Sequence, residues 1–223
     1  LYLVENNIVD GWDDPRMPTI SGLKRRGYTP DALRKFVETA GVAKRENLIE
    51  MSLLEFCVRE DLNKKSNRLM VVQDPLKITI TNYEKDNETL LLENNPEAEA
   101  KDKREVYFSK TIYIEKEDFM ENPPPKFFRL TVGKEVRLKG AYIIKAESVL
   151  KDTGGNITEI LCTYDPKSKS GSGTAESQRK VKGTLHWVSA ENSVDLEIRE
   201  YDRLFTHQSP GDFDPSDFNS ILN

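Results

Sequence analysis

The stretch Glu135–Asp165, "EVRLKGAYIIKAESVLKDTGGNITEILCTYD", decides the fold class. Aliphatic and β-branched residues alternate with polar ones on both sides of Gly154, Gly155 and Asn156, which is the pattern of two strands joined by a tight hairpin. Arg137 and Lys139 stand two apart in the first run, so both project from one face of a strand. The same period continues outward. Upstream lie "LMVV", "LKITITNY", "KTIYIEK" and "FFRLTV"; downstream lie "KVKGTLHWV" and "VDLEIREYDRLF". So many strands from Arg68 onward, without helical patterns between them, predict an antiparallel barrel or sandwich. "SKSGSGTAESQ" (Ser168–Gln178) reads as a flexible polar hairpin tip, and "LENNPEAEAKDKRE" as a solvated charged loop.

Before about Asn63 the period is helical. Thr29 suits an N-cap, Pro30 the first helical position and Asp31 the positive end of the dipole. Leu33, Phe36, Val37 and Ala40 follow at helical spacing, and Gly41 supplies the stop. A second helix is predicted from about Glu46 to Asp61. Its apolar side would carry Leu48, Ile49, Leu53, Phe56 and Cys57, and its polar side Glu50, Arg59 and Glu60. Ahead of both helices, "GWDDPRMPT" reads as a structured loop with Trp12 and Met17 tucked into a core. Its paired Asp13 and Asp14 would accept backbone and arginine hydrogen bonds.

The 223 residues are 37% hydrophobic and 32% charged, with a net charge of −5. No apolar run approaches the roughly 20 residues of a bilayer span, and the acidic start does not resemble a signal peptide. Cys57 and Cys162 read as buried thiols of a cytoplasmic, reducing setting. Two isolated histidines predict no zinc site, and His186 is expected to be packed in a strand. No phosphate-cradling glycine loop, nucleophile–histidine set or metal spacing is present. The chain therefore reads as a binding or scaffolding unit. Leu1 already stands within apolar spacing, so a piece of a longer protein is expected.

Binding chemistry concentrates in "PPPKFFRLTVGKEVRLKGAY". Lys126, Phe127, Phe128 and Arg129 combine aromatic faces with positive charge, the mix that holds unstacked RNA bases. Arg137 and Lys139 add a basic strand; an alternative role is cross-strand pairing with Glu135 or nearby acids. A negative net charge is only an average and leaves room for such a stripe.

"GWDDPRMPTISGLKRRGYTPDALRKF", "NLIEMSLLEFCVREDLNKKSNRLMVVQDPLKITITNY", "RLTVGKEVRLKGAYIIKAE", "GNITEILCTYDP", "RKVKGTLHWVSA" and "EIREYDRLF" closely resemble the glutaminyl-tRNA synthetase family, over nearly the whole chain. The resemblance implies an α+β fold. Residues 1–66 would be a helical subdomain following the ATP-site loop, and 67–203 the proximal anticodon-binding antiparallel β-barrel of a ribosomal-protein type. Residues 204–223 would start the connection to a distal barrel, leaving the barrel incomplete at the C-terminus. The "HIGH" and "MSK" motifs would lie upstream, so this piece is expected to be inactive alone. The parent would ligate glutamine to its tRNA with ATP and Mg2+, whereas the piece itself would hold no cofactor.

The implied partner is a glutamine-specific tRNA, with no DNA, membrane or metal. Arg68 and Asn63 would stand where helices meet barrel, with Arg68 reaching the central anticodon base. Arg129 would read the third base, and Arg137 with Lys139 would hold the first base and its phosphates. Lys126 and Phe128 stand where the bacterial pattern often has glutamine and lysine, and Lys139 where it has arginine. A lysine cannot make the planar two-pronged contact of an arginine. Lys44, Arg45 and Glu50 match positions facing the inner corner of the tRNA, and Lys24 and Arg25 would contact phosphates. The alternatives are a stand-alone RNA-binding or scaffold module, and a piece of an archaeal or eukaryotic-type glutamyl-tRNA synthetase.

Overall fold

The structure of the chain, a computed structural model, describes residues 1–44 and 47–223. The expectations for Arg45 and Glu46 lie outside the described residues. Two compact units are present: Leu1–Ser66 together with Glu197–Asn223, and Asn67–Leu196.

The first unit is built on helices α1 (Tyr2–Glu5), α2 (Ile20–Arg25), α3 (Pro30–Ala40) and α4 (Met51–Lys65). Helix α3 starts and stops on local signals: Thr29 Oγ1 accepts from the Ala32 N–H at 3.2 Å, and Gly41 caps the end at φ 70°. Thr29 also donates to Asp61 of α4 at 2.6 Å, so one side chain caps one helix and holds the next. Helix α4 begins later than predicted, with Glu50 at its N-cap, and presents a different face. Leu54 and Val58 are buried with Ala32, and Met51, Leu62, Leu33 and Phe36 pack around them. Leu48, Ile49 and Phe56, expected inside, are exposed. Leu54, Val58 and Leu62 form the stripe that meets α3, and Cys57 is the residue shared by both candidate stripes.

Met17 joins Leu3, Val9 and Leu204 in a second small core, while Trp12 is exposed, contrary to expectation. Phe205, Phe218 and Leu222 pack on that core. The C-terminal segment therefore belongs with the N-terminal helices. "VDLEIREYDRLF" carries the alternation of a strand but joins no sheet among the described residues; Val194 is 81% exposed, and only the end of the stretch pairs, through an isolated antiparallel bridge from Phe205 to Leu222. The compact second unit accordingly ends at Leu196, short of the predicted boundary at 203.

In "GWDDPRMPT", Asp14 is buried and accepts from Arg16 Nε at 3.0 Å and Arg16 Nη2 at 2.7 Å. It also accepts from the Arg16 and Asp10 N–H groups at 2.8 and 3.0 Å. The Arg16 guanidinium holds the Asp14 carboxyl far below the usual carboxylate range, against the opposing pull of burial. A depressed pKa stabilises the fold above the unfolded value, near 3.9, and that contribution is lost as pH falls below it. At pH 7, Asp14→Asn should therefore melt lower than the parent chain. The gap should close progressively in thermal scans taken from pH 4 downward. A gap independent of pH would contradict an ionised Asp14 as its source.

The second unit is a mixed β structure. Strands β1 (Pro75–Ile80), β4 (Thr111–Glu115), β5 (Glu135–Leu138), β6 (Ile143–Lys151), β7 (Ile157–Tyr164), β8 (Thr184–Leu185) and β9 (Val188–Ser189) form one sheet. Their order is β8-β5-β6-β7-β1-β4-β9. The β6–β7 hairpin is the one predicted: Asp152 Oδ1 accepts from the Gly154 and Asn156 N–H groups inside the turn. The sheet is not purely antiparallel, because β1 pairs parallel to β7 and β5 parallel to β8. Both pairs join segments far apart in the chain, so no tight turn dictates their direction.

Strands β2 (Glu88–Glu93) and β3 (Lys103–Phe108), absent from the predicted set, form a separate antiparallel hairpin. "LMVV" and "FFRLTV" are not strands; the latter makes only isolated bridges through Leu130 and Val132.

β8 and β9 lie on opposite edges of the sheet, yet only His186 and Trp187 separate them. Three Cα steps span at most about 11 Å, so the two edges are drawn together and the sheet curls. Trp187 fills the inside at 0% exposure, edge-on to Phe108 at 5.2 Å, with Nε1 donating to the Lys139 carbonyl at 3.1 Å. Tyr83, Tyr142 and Tyr164 complete an aromatic centre. Cys162 is fully buried there and burial pushes its thiol up to about 12.

The segment Ser168–Gln178 is anchored, not the flexible tip predicted. Pro166–Ser168 form a 3-10 turn and helix α5 spans Ala175–Gln178. Ser168 is fully buried, its hydroxyl accepting from the Ile143 N–H at 2.8 Å and donating to the Asp165 carbonyl at 2.6 Å. A serine-rich composition signals mobility only where the hydroxyls lack backbone partners.

Candidate nucleic-acid interface

A cleft of about 700 Å³ opens on the second unit between the turn that follows β4, the segment Lys126–Arg129 and the crossing strand Gly183–His186. Leu130 bridges to Phe119, which sets the segment 126–130 beside the Lys116–Asp118 turn. Lys126 takes a left-handed conformation at φ 71°, and the Phe127 N–H returns to the Pro124 carbonyl at 3.2 Å. That bend leaves Phe128 51% exposed, with Lys182 Nζ 5.2 Å from its ring centroid. On the other side, Gly183 sits so close to Phe128 that a Cβ there would lie 2.1 Å from the Phe128 carbonyl oxygen.

Arg129 points at the acidic floor. Its Nε is 3.1 Å from Asp118 Oδ1, and Nη1 donates to the Glu117 carbonyl at 3.2 Å and to Glu117 Oε1 at 3.4 Å. Asp118 is only 7% exposed; burial raises its pKa, and the charges of Arg129 and His186 pull the other way. His186 Nε2 stands 3.8 Å from Glu115 Oε1. The cleft thus offers one stacking face, one guanidinium, one buried carboxylate (Asp118) with Glu115 and Glu117 beside it, and lysines Lys126 and Lys182 at the rim. A planar, hydrogen-bonding, negatively linked group such as an unstacked nucleotide suits that set.

Lys126, Phe128 and Arg129 come together around this cleft. Arg137 and Lys139 stand in different surroundings: Lys139 is exposed with no ion-pair partner among the described residues, whereas Arg137 donates hydrogen bonds to the 168–179 segment. Arg68 lies by the β2–β3 loop, paired with Glu97 at 2.5 Å and bonded through its N–H to the Asn94 carbonyl. In the helical unit, Asn63 and Lys24 are exposed on α4 and α2, Arg25 pairs with Asp13 at 3.1 Å, and Lys44 and Glu50 are exposed between α3 and α4. Sequence reasoning passed over Asp118 and Lys182. Their local pattern is that of ordinary charged surface, and only the long-range pairing of β5 with β8 brings 182–186 to the cleft.

Models of the class I tRNA synthetases for E and Q match this chain in three parts. The catalytic-domain model takes residues 1–64, and two anti-codon binding domain models take 66–165 and 184–223. The chain belongs to this family. Relatives similar to this chain include several named glutamine–tRNA ligase. That of Clostridium perfringens is 56% identical over 203 residues, 91% of this chain and 36% of the relative. That of Clostridium kluyveri is 51% identical over 92% of this chain and 37% of the relative. That of Vibrio parahaemolyticus is 52% identical over 99% of this chain and 39% of the relative. The chain thus spans less than two-fifths of the length of these curated relatives.

Proposed function

We propose that this chain is the tRNA-binding part of a glutamine–tRNA ligase. The curled unit would grip the anticodon loop, and the helical unit would face the inner side of a glutamine-specific tRNA. The parent reaction would join glutamine to tRNA with ATP and Mg2+; no residue of this chain is assigned to hold either. The curled sheet would be the anticodon-binding barrel of the family, of the ribosomal-protein type. What carries the reading is the exposed Phe128 ring set beside Arg129 and under Lys182 in one cleft, in a chain of this family.

In this reading Arg129 contacts a base and Lys44 contacts phosphate. A base-reading arginine discriminates by about 1–3 kcal/mol, roughly tenfold to over a hundredfold, and a phosphate contact weakens all RNAs alike. Arg129→Ala should weaken the cognate tRNA at least tenfold while hardly changing a tRNA with altered anticodon. Lys44→Ala should weaken both equally and flatten the salt dependence by somewhat under one log–log unit. Filter binding over a salt series reads all four combinations. Because Arg129→Ala also strips Asp118 of its partner, thermal unfolding of the variant is measured alongside. Equal losses on both RNAs in a folded variant would exclude base reading by Arg129.

A further inference from the structure

Arg137 holds the chain on both sides of Lys180–Lys182. Its side chain spans the segment before them: Nη1 donates to the Ser168 carbonyl at 3.0 Å and to Ser170 Oγ at 3.2 Å. Nη2 donates to the Ser177 carbonyl at 2.9 Å and to the Arg179 carbonyl at 3.2 Å. Its backbone fixes the segment after them, its N–H donating to the Gly183 carbonyl at 3.1 Å while Arg137 pairs with Thr184 in the β5–β8 ladder. Three residues strung between two anchors, at no more than about 3.6 Å of reach each, have little room to move. They carry Lys182 to the Phe128 ring.

All four side-chain acceptors are neutral, and no carboxylate among the described residues pairs with Arg137. Arg179 takes the nearby acids instead, pairing with Glu135 and, at 3.6 Å, with Asp165. A guanidinium has five N–H donors in a fixed fork. With both terminal nitrogens of Arg137 committed, only Nε–H remains, and the two-pronged face needed to read a base or grip a phosphate is already used.

We propose that Arg137 is a positioning residue: a clasp that orders residues 168–179 and thereby presents Lys182 at the Phe128 ring on the rim of the cleft. It acts on RNA through that segment and not by its own contact. The inference rests on the RNA-binding reading for its consequence, while the clasp itself stands on geometry alone.

The experiment uses the whole chain with Arg137→Ala, Arg137→Lys, Lys182→Ala and the Arg137→Ala/Lys182→Ala double variant. Hydrogen exchange without RNA is read at the amides of 168–179. Filter binding is read with a glutamine tRNA transcript and with the same transcript altered in its anticodon. Both Arg137 variants should speed exchange in 168–179 at least tenfold while the β6–β7 amides stay protected, which separates local release from unfolding. A lysine keeps the charge but cannot span four oxygens, so Arg137→Lys should behave as Arg137→Ala. Both should weaken the two RNAs by one common factor. The double variant should lose little beyond the larger single loss, because the two residues lie on one path.

Unchanged exchange in 168–179 would overturn the clasp. So would a loss confined to the unaltered anticodon, full binding by Arg137→Lys, or additive losses in the double variant. If the parent chain binds neither RNA, the RNA-binding reading fails and the exchange result alone decides whether the clasp exists.

Discussion

Trp187→Ala is expected to cost about 3–5 kcal/mol, the range for emptying a buried tryptophan site, and to lower the melting temperature of the strand-rich unit by on the order of 10–15 °C. Two terms combine. The indole is wholly buried against Phe108, so its removal leaves a cavity in an aromatic centre that cannot collapse without moving Tyr142 and Tyr164. It also leaves the Lys139 carbonyl without its Nε1–H donor at the place where the chain crosses from one sheet edge to the other. Hydrogen exchange resolves the effect by region: protection should fall across β4, β5 and their neighbours while α3 and α4 keep theirs. A loss under about 1 kcal/mol would mean that the crossing segment does not hold the edges together.

Gly183→Ala carries a comparable effect from a single methyl group. The residue sits at φ 109°, where a side chain is strained by about 1–3 kcal/mol. The new Cβ would also meet the Phe128 carbonyl oxygen at 2.1 Å, an atom of the backbone that cannot swing aside. Relief requires moving either Phe128 or the β8 strand, and these are held by the Arg137 N–H on the Gly183 carbonyl and the Lys139 N–H on the Leu185 carbonyl. The total should reach beyond about 3 kcal/mol, in the tail of single-substitution effects. Urea unfolding followed through Trp187 fluorescence, in a Trp12→Phe background, measures it without interference from the other indole. An unfolding midpoint equal to that of the parent would contradict the close approach.

Where signals are local, the sequence was readable. Thr29, Pro30 and Gly41 bound α3 by their own hydrogen-bonding and backbone preferences, and Asp152 with Gly154 and Asn156 marks the β6–β7 turn in the same way. The face of α4 was not readable. Leu53, Phe56 and Cys57 make as good a stripe as Leu54, Cys57 and Val58, and the choice is made by Ala32, Leu33 and Phe36 across the gap. Alternation in Val194, Leu196 and Ile198 is the pattern of a strand, but a strand exists only where a partner accepts its ladder. Phe128 and Arg129 stand out as an aromatic–basic pair in the sequence. Asp118 does not, because only burial sets it apart from an ordinary surface aspartate, and its burial follows from the Phe119–Leu130 bridge. Arg137 was legible as a basic strand residue, but not as one whose donors are already filled.

The parallel pairing of β1 with β7 has a consequence for how the protein is made. At about 5–20 residues per second on the ribosome, the 77 positions from Ile80 to Ile157 take roughly 4–15 s. During that interval β1 and β4 have left the ribosome with an unclaimed edge, and the segment that links the sheet's two borders emerges later still. The β6–β7 hairpin forms in microseconds once it appears, so it is the natural seed on which the waiting strands settle. The slow event is thus the arrival of the chain and not the search for the fold. Pauses in translation between residues 80 and 157 would lengthen the time a sticky edge stays open to other nascent chains.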